Sequence, residues 1–140
     1  MTRPHFISVK SNYKLTSKSF SDSGGCNYSN TCAVRLSSAL IAANPAFKKI
    51  FASSPGNICG PHGNKRGAQD LAAVLKTAFG GIDKSPKNAQ EINAKKGIIC
   101  FLGISGYGGQ GHITLWENNE CIDKSSYWES SPLIWFWRLP

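Results

Sequence analysis

Near residue 97 the chain changes its hydrophobic period, and that change limits the folds open to it. Gly97-Ile98-Ile99-Cys100-Phe101-Leu102, continuing to Ile104, is a nearly unbroken apolar run suited to a central strand buried on both faces. The Gly-rich connection Ser105–Gln110 then leads into a second strand, Gly111-His112-Ile113-Thr114-Leu115-Trp116. Asn118-Asn119 reads as a tight turn, Glu120–Lys124 as a short return strand and Pro132–Leu139 as an aromatic closing strand. Upstream the spacing is helical. Val34, Leu36, Leu40 and Ile41 recur between Cys32 and Ala43, with Asn30 or Thr31 as cap and Pro45 as stop. Leu71, Val74, Leu75, Ala78 and Phe79 fall on one face of a second helix closed by Gly80-Gly81. Helices first and antiparallel strands after them indicate an α+β fold.

The remaining segments fill in one domain over residues 1–140. Residues 1–28 read as an irregular arm packed on that domain, 52–66 as a loop, and Asn88 to Ala94 as a short helical turn. The start of the chain has no apolar core of the kind a conventional secretory signal needs. No stretch approaches the ~20 apolar residues of a membrane span.

The candidate chemistry comes from the hairpin. A turn centred on Asn118-Asn119 pairs Glu117 with Glu120, Trp116 with Cys121, Leu115 with Ile122 and Thr114 with Asp123. Alternation then sends Ile113, Leu115 and Ile122 to one face and His112, Thr114, Trp116, Cys121 and Asp123 to the other. His112 and Asp123 become diagonal cross-strand neighbours, roughly 7–8 Å between backbones, within reach of an imidazole–carboxylate hydrogen bond. Cys32 stands where a polar turn gives way to a helix. Unpaired N–H groups and the positive end of the macrodipole favour a thiolate there, and can receive the oxyanion of a tetrahedral intermediate. A cysteine nucleophile, a histidine base and an aspartate that orients it are thus all available.

Charge and cysteine content admit more than one reading. Sixteen Lys and Arg against eight Asp and Glu give a formal charge of +8, which serves solubility or draws the protein to an anionic polymer. The basic residues are scattered, which argues against a nucleic-acid-binding arm. Five cysteines (26, 32, 59, 100 and 121) fit two disulfides and one thiol, or five thiols. Cys26 and Cys59 lie in Gly-rich polar segments and could pair, whereas Cys100 reads as a small core residue.

Asn30-Thr31-Cys32-Ala33-Val34-Arg35-Leu36-Ser37, Lys95-Lys96-Gly97-Ile98-Ile99, Gly111-His112-Ile113-Thr114-Leu115-Trp116 and the ending Leu139-Pro140 together resemble the fourth family of type VI secretion amidase effectors. The resemblance maps that family's Cys, His and Asp onto Cys32, His112 and Asp123. It implies a papain-like, NlpC-type α+β amidase with its helices packed on a C-terminal antiparallel sheet. The implied reaction is hydrolysis of the γ-D-glutamyl–meso-diaminopimelate amide of peptidoglycan stem peptides, with no cofactor and no metal. The implied setting is injection into a rival's periplasm, with an immunity protein that blocks the cleft and neither nucleic acid nor membrane as partner.

Three alternatives compete with that expectation. Cys26, Cys32, Cys59 and His62 offer a Cys3His zinc set for a basic nucleic-acid-binding module, although the gap between the first two cysteines is wider than usual. The same triad could pass its acyl group to an amine, as an acyltransferase. Cys121 could be the nucleophile, but it sits on a strand without a helix start. Ser105–Gln110 could gate the cleft, and Tyr107 and Trp116 could line it, with Trp116 equally suited to packing.

Overall fold

A computed structural model of the chain describes residues 1–15, 31–93, 96–106 and 110–140. Among these residues four α-helices precede the main sheet, α1 (Phe6–Lys10), α2 (Cys32–Ala43), α3 (Ala46–Ser53) and α4 (Ala68–Ala78), followed by a single 3-10 turn at Ala89–Glu91 within the expected helical turn. A two-residue ribbon, β1 (Ile58–Cys59) with β2 (Asn64–Lys65), separates α3 from α4. The sheet follows as β3 (Lys96–Leu102), β4 (Gly111–Glu117), β5 (Glu120–Cys121) and β6 (Leu133–Arg138), antiparallel throughout in the order β5-β4-β3-β6. The expected α+β architecture is the observed one.

The central strand is the expected apolar run. Alternate residues of β3 serve two cores. Ile98, Cys100 and Leu102 join Ile113, Leu115 and Trp137 beneath α1, α2, α3 and α4. Ile99 and Phe101 join Trp116, Cys121, Ile134 and Phe136 on the opposite face, covered by Tyr127 and Trp128. A strand with apolar neighbours on both faces has no polar positions to alternate with, hence its continuous run. The face assigned to His112 and Trp116 is therefore largely enclosed; Trp116 packs against Trp128 with ring centres 5.9 Å apart and does not line a cleft.

α2 is the central helix. Leu36 and Leu40 are fully buried, and Val34, Arg35 and Ser37 are buried on its other sides. Each of those leucines contributes about 1.5–3 kcal/mol by leaving water. Pro45 ends α2 as expected and also begins α3, where Phe47 and Phe51, one turn apart, insert into the same core. The loop assigned to 52–66 contains the β1–β2 ribbon. Within it Lys65 is fully buried, its Nζ donating to the carbonyls of Ser54, Pro55 and Gly56 at 3.2, 2.9 and 3.0 Å. The described part of the N-terminal arm includes the helix α1, tied to the chain end by Phe6 N–H to Pro140 O at 2.8 Å.

Asn118 and Asn119 take φ of +55° and +64°, the left-handed pair of a two-residue hairpin turn, and the register Trp116↔Cys121 is as expected. The return strand is shorter than expected. Its ladder stops at Cys121, and Lys124, at φ +66°, turns the chain away. Gly111–Thr114 consequently has no strand on its outer side among the described residues.

Gly97 brings β3 close to β6. A Cβ there would lie 2.1 Å from the Trp137 carbonyl oxygen and 2.7 Å from the Phe136 ring. Gly97→Ala is expected to lower the unfolding free energy by about 1–3 kcal/mol, measured as a lower urea midpoint with unchanged m-value.

Candidate functional site

The outer edge of β4, which no strand among the described residues pairs beyond Trp116, is where the three candidate residues meet. Cys32 opens α2 and is nearly fully buried, with its thiol 3.9 Å from the Gly111 carbonyl. Gly111 has φ +138°, and a Cβ would stand 2.4 Å from the Phe101 carbonyl. Only glycine lets β4 begin this close to β3 and offer that carbonyl to the helix. Thr31 occupies the N-cap position, but its hydroxyl does not cap the helix; it accepts from Arg35 Nε at 3.0 Å. The positive end of the helix dipole thus lies at the sulfur.

His112 is carried one residue further along β4. Its Nε2 bonds Asp123 Oδ2 at 2.8 Å, with both side chains less than a tenth exposed. Asp123 lies on the turn after β5, not on a strand as expected, and is held there by its other oxygen. Oδ1 accepts from the Ser125 backbone N–H at 3.0 Å and from Ser125 Oγ at 2.5 Å. The turn replaces the cross-strand diagonal with a side chain anchored by its own chain two residues on. The Tyr127 ring covers the imidazole, centre to centre 5.3 Å.

Burial opposes ionisation of both partners, and the pairing overrides it. On His112, hydrogen bonding and electrostatic interaction with Asp123 and Cys32 raise the pKa to about 9. On Asp123, hydrogen bonds from His112 and Ser125 and the imidazolium charge lower it to about 2. His112 Nδ1 is buried, and Cys32 is the neighbour that acts on the ring besides Asp123. The arrangement holds a protonated imidazole at neutral pH between a carboxylate and a sulfur, able to stabilise a thiolate and to supply a proton.

Other candidates separate from this cluster. Burial, and then the Asp123 charge, raise the Cys121 thiol to about 12, so it stays a thiol. Burial likewise pushes Cys100 well above the ordinary range, as expected of a core residue. The zinc set is overturned: Cys59 is disulfide-bonded and has no thiolate to give a metal. Among the described residues no three His, Cys, Asp or Glu side chains cluster as ligands. Cys26, and with it the proposed pairing partner of Cys59, lies outside the described residues, as do Tyr107 and the middle of the expected gating loop. Gln110, at the end of that loop, is anchored on α4: its Oε1 accepts from Asp70 N–H at 3.0 Å and its Nε2 donates to Asp70 Oδ2 at 3.2 Å. Ser125, Arg35 and Tyr13 complete the surroundings. The sequence offers a signal only for Ser125, whose spacing from Asp123 suits an Asx turn.

These shifts make stability depend on pH. The His112 pKa is raised on folding, so its contribution is complete below its ordinary value of 6.5 and disappears as pH rises through that value to about 9. Asp123 is lowered, so its contribution is complete above 3.8 and disappears as pH falls to about 2. Urea melts from about pH 6 to about pH 10 are expected to show wild type losing stability across the upper window. His112→Gln should remove that slope, and Cys32→Ala should weaken it.

The family model for type VI secretion system (T6SS) amidase effector protein 4, Tae4, matches residues 28–137. Among solved structures, the fold is similar to the effector Tae4 from Salmonella typhimurium, solved in complex with the immunity Tai4 from Enterobacter cloacae. That match has a TM-score of 0.74 and 25% identity over 99% of this chain and 100% of the other. The type VI effector Tae4 from Enterobacter cloacae shares the fold with a TM-score of 0.72 and 23% identity, covering 100% of each chain. A search of curated proteins finds no match. With its family model spanning most of the sequence, the chain belongs to the Tae4 family of T6SS amidase effectors, antibacterial enzymes that act on peptidoglycan in target cells.

Proposed function

We propose that Cys32, His112 and Asp123 are the catalytic triad of a cysteine-dependent peptidoglycan amidase. The observation that carries this reading is the buried His112–Asp123 pair, 2.8 Å apart, beside the sulfur that opens α2. The bond cleaved is the γ-D-glutamyl–meso-diaminopimelate amide of the stem peptide.

The Cys32 thiolate attacks the amide carbonyl, and the carbonyl electrons move to its oxygen. N–H groups at the start of α2 stabilise that oxyanion, a contribution of about 2.7–4 kcal/mol per donor in comparable sites. As the intermediate collapses, protonated His112 delivers its proton to the departing diaminopimelate nitrogen, and a thioester remains on Cys32. Neutral His112 then takes a proton from water, the hydroxide attacks the thioester, and the γ-carboxylate of D-glutamate leaves with the thiolate restored. Asp123, fixed by Ser125, keeps the ring oriented through both halves of the cycle.

The site of action in this reading is the target-cell periplasm, where the stem peptides are. The formal charge of +8 concentrates the enzyme on anionic murein, an effect that salt should weaken. The relatives solved as effector–immunity complexes support a cognate immunity protein, which in this reading blocks the site.

Incubating purified protein with peptidoglycan fragments and identifying the new termini by mass spectrometry tests the assignment. Cys32→Ala and His112→Ala should each reduce cleavage by about three orders of magnitude or more, and Asp123→Asn by less. Cleavage that persists in Cys32→Ala would remove the nucleophile from this account.

A further inference from the structure

Tyr13 lies in the N-terminal arm, ahead of residues 28–137 covered by the family model, yet it is buried against the site. Its hydroxyl is 3.0 Å from Thr114 Oγ1 and 3.4 Å from Arg35 Nη1. Arg35 has only donors, so the tyrosine oxygen accepts from it, leaving the tyrosine proton for Thr114. Burial, opposed by the Arg35 charge and the Thr114 bond, raises the phenol above its ordinary range, so that proton stays in place at working pH. The guanidinium is itself buried and held by three further acceptors: Thr31 Oγ1 at 3.0 Å, the Lys14 carbonyl at 3.0 Å and the Leu15 carbonyl at 2.9 Å.

The positions of these residues follow the periods of the two elements they join. Arg35 is three residues beyond Cys32 on α2, about 4.5 Å along the axis on the same side of the helix. Thr114 is two residues beyond His112 on β4, about 6.7 Å along the strand on the same face. Helix and strand are thus linked by two neighbouring rungs. One is Cys32 with His112, and the other is Arg35–Tyr13–Thr114.

We propose that Tyr13 is a positioning residue for the Cys32–His112 pair, bridging α2 to β4 and thereby fixing the separation of sulfur and imidazole. The proposal rests on the catalytic reading above. It makes the N-terminal arm part of the machinery that aligns the site, at a distance from the reacting atoms.

The test begins with Tyr13→Phe, which keeps the ring and removes the bridge. It should lower kcat on peptidoglycan fragments about tenfold with KM changed less than about twofold. Alkylation of Cys32 by iodoacetamide, mapped by peptide mass spectrometry, should slow in parallel because that reaction also depends on the neighbouring imidazole. Thr114→Val should give the same loss, the double variant should be no worse than either single, and Thr114→Ser should recover most of the rate. Wild-type kcat and alkylation in Tyr13→Phe, or losses that multiply in the double variant, would overturn the proposal. A lower melting temperature with kcat intact would also overturn it, since it would reduce Tyr13 to a structural role. If Thr114→Val does not fold, Tyr13→Phe and Thr114→Ser decide alone. Failure of the catalytic reading is seen separately, as cleavage surviving in Cys32→Ala.

Discussion

The contact between the first turn of α2 and the first residues of β4 is the constraint on which the site depends. The helix must begin at Cys32, because that places its sulfur at the positive end of the helix dipole. The strand must begin at Gly111, because its carbonyl faces that sulfur and the following residue is the histidine. Two local choices permit the approach. Gly111 adopts a conformation that side chains avoid, and β5 ends early enough to leave the edge of β4 to the helix. A longer hairpin would have paired that edge with another strand and excluded the helix from it.

Burial gives the contact its chemistry. Water would screen the attraction between carboxylate, imidazolium and sulfur, and would supply protons without direction. Here each buried charge is compensated: Asp123 by His112 and Ser125, and Arg35 by one hydroxyl, two carbonyls and the Tyr13 oxygen. A single unpaired member of such a set would cost several kcal/mol. Folding of this region and readiness of the site therefore arise from the same interactions.

Much of this was legible in the sequence, for reasons that differ by element. The run Gly97–Ile104 and the Asn118-Asn119 turn carry their geometry in their residue types, and the hairpin register follows from the turn. The Cys32 helix and the His112 strand are legible because a period of 3.6 and a period of two leave different traces. Asp123 was legible as a partner and not as a conformation: its pairing depends on position, whereas the turn that holds it depends on Ser125 and on a left-handed Lys124. α3 escapes because Pro45 reads equally as a stop and a start. The roles of Lys65, Arg35 and Tyr13 are tertiary. A buried cation satisfied by backbone carbonyls looks, in a sequence, the same as one in water.

The central claim is that the Cys32 sulfur becomes acylated during turnover. Rapid mixing with a stem-peptide substrate, acid quenching and intact-protein mass spectrometry with peptide mapping measure this directly. A transient adduct of the glutamyl fragment's acyl mass is expected on Cys32, formed no more slowly than product and absent in Cys32→Ala. Product formation with the adduct on Cys100 or Cys121, or with no covalent adduct at any time point, would contradict it.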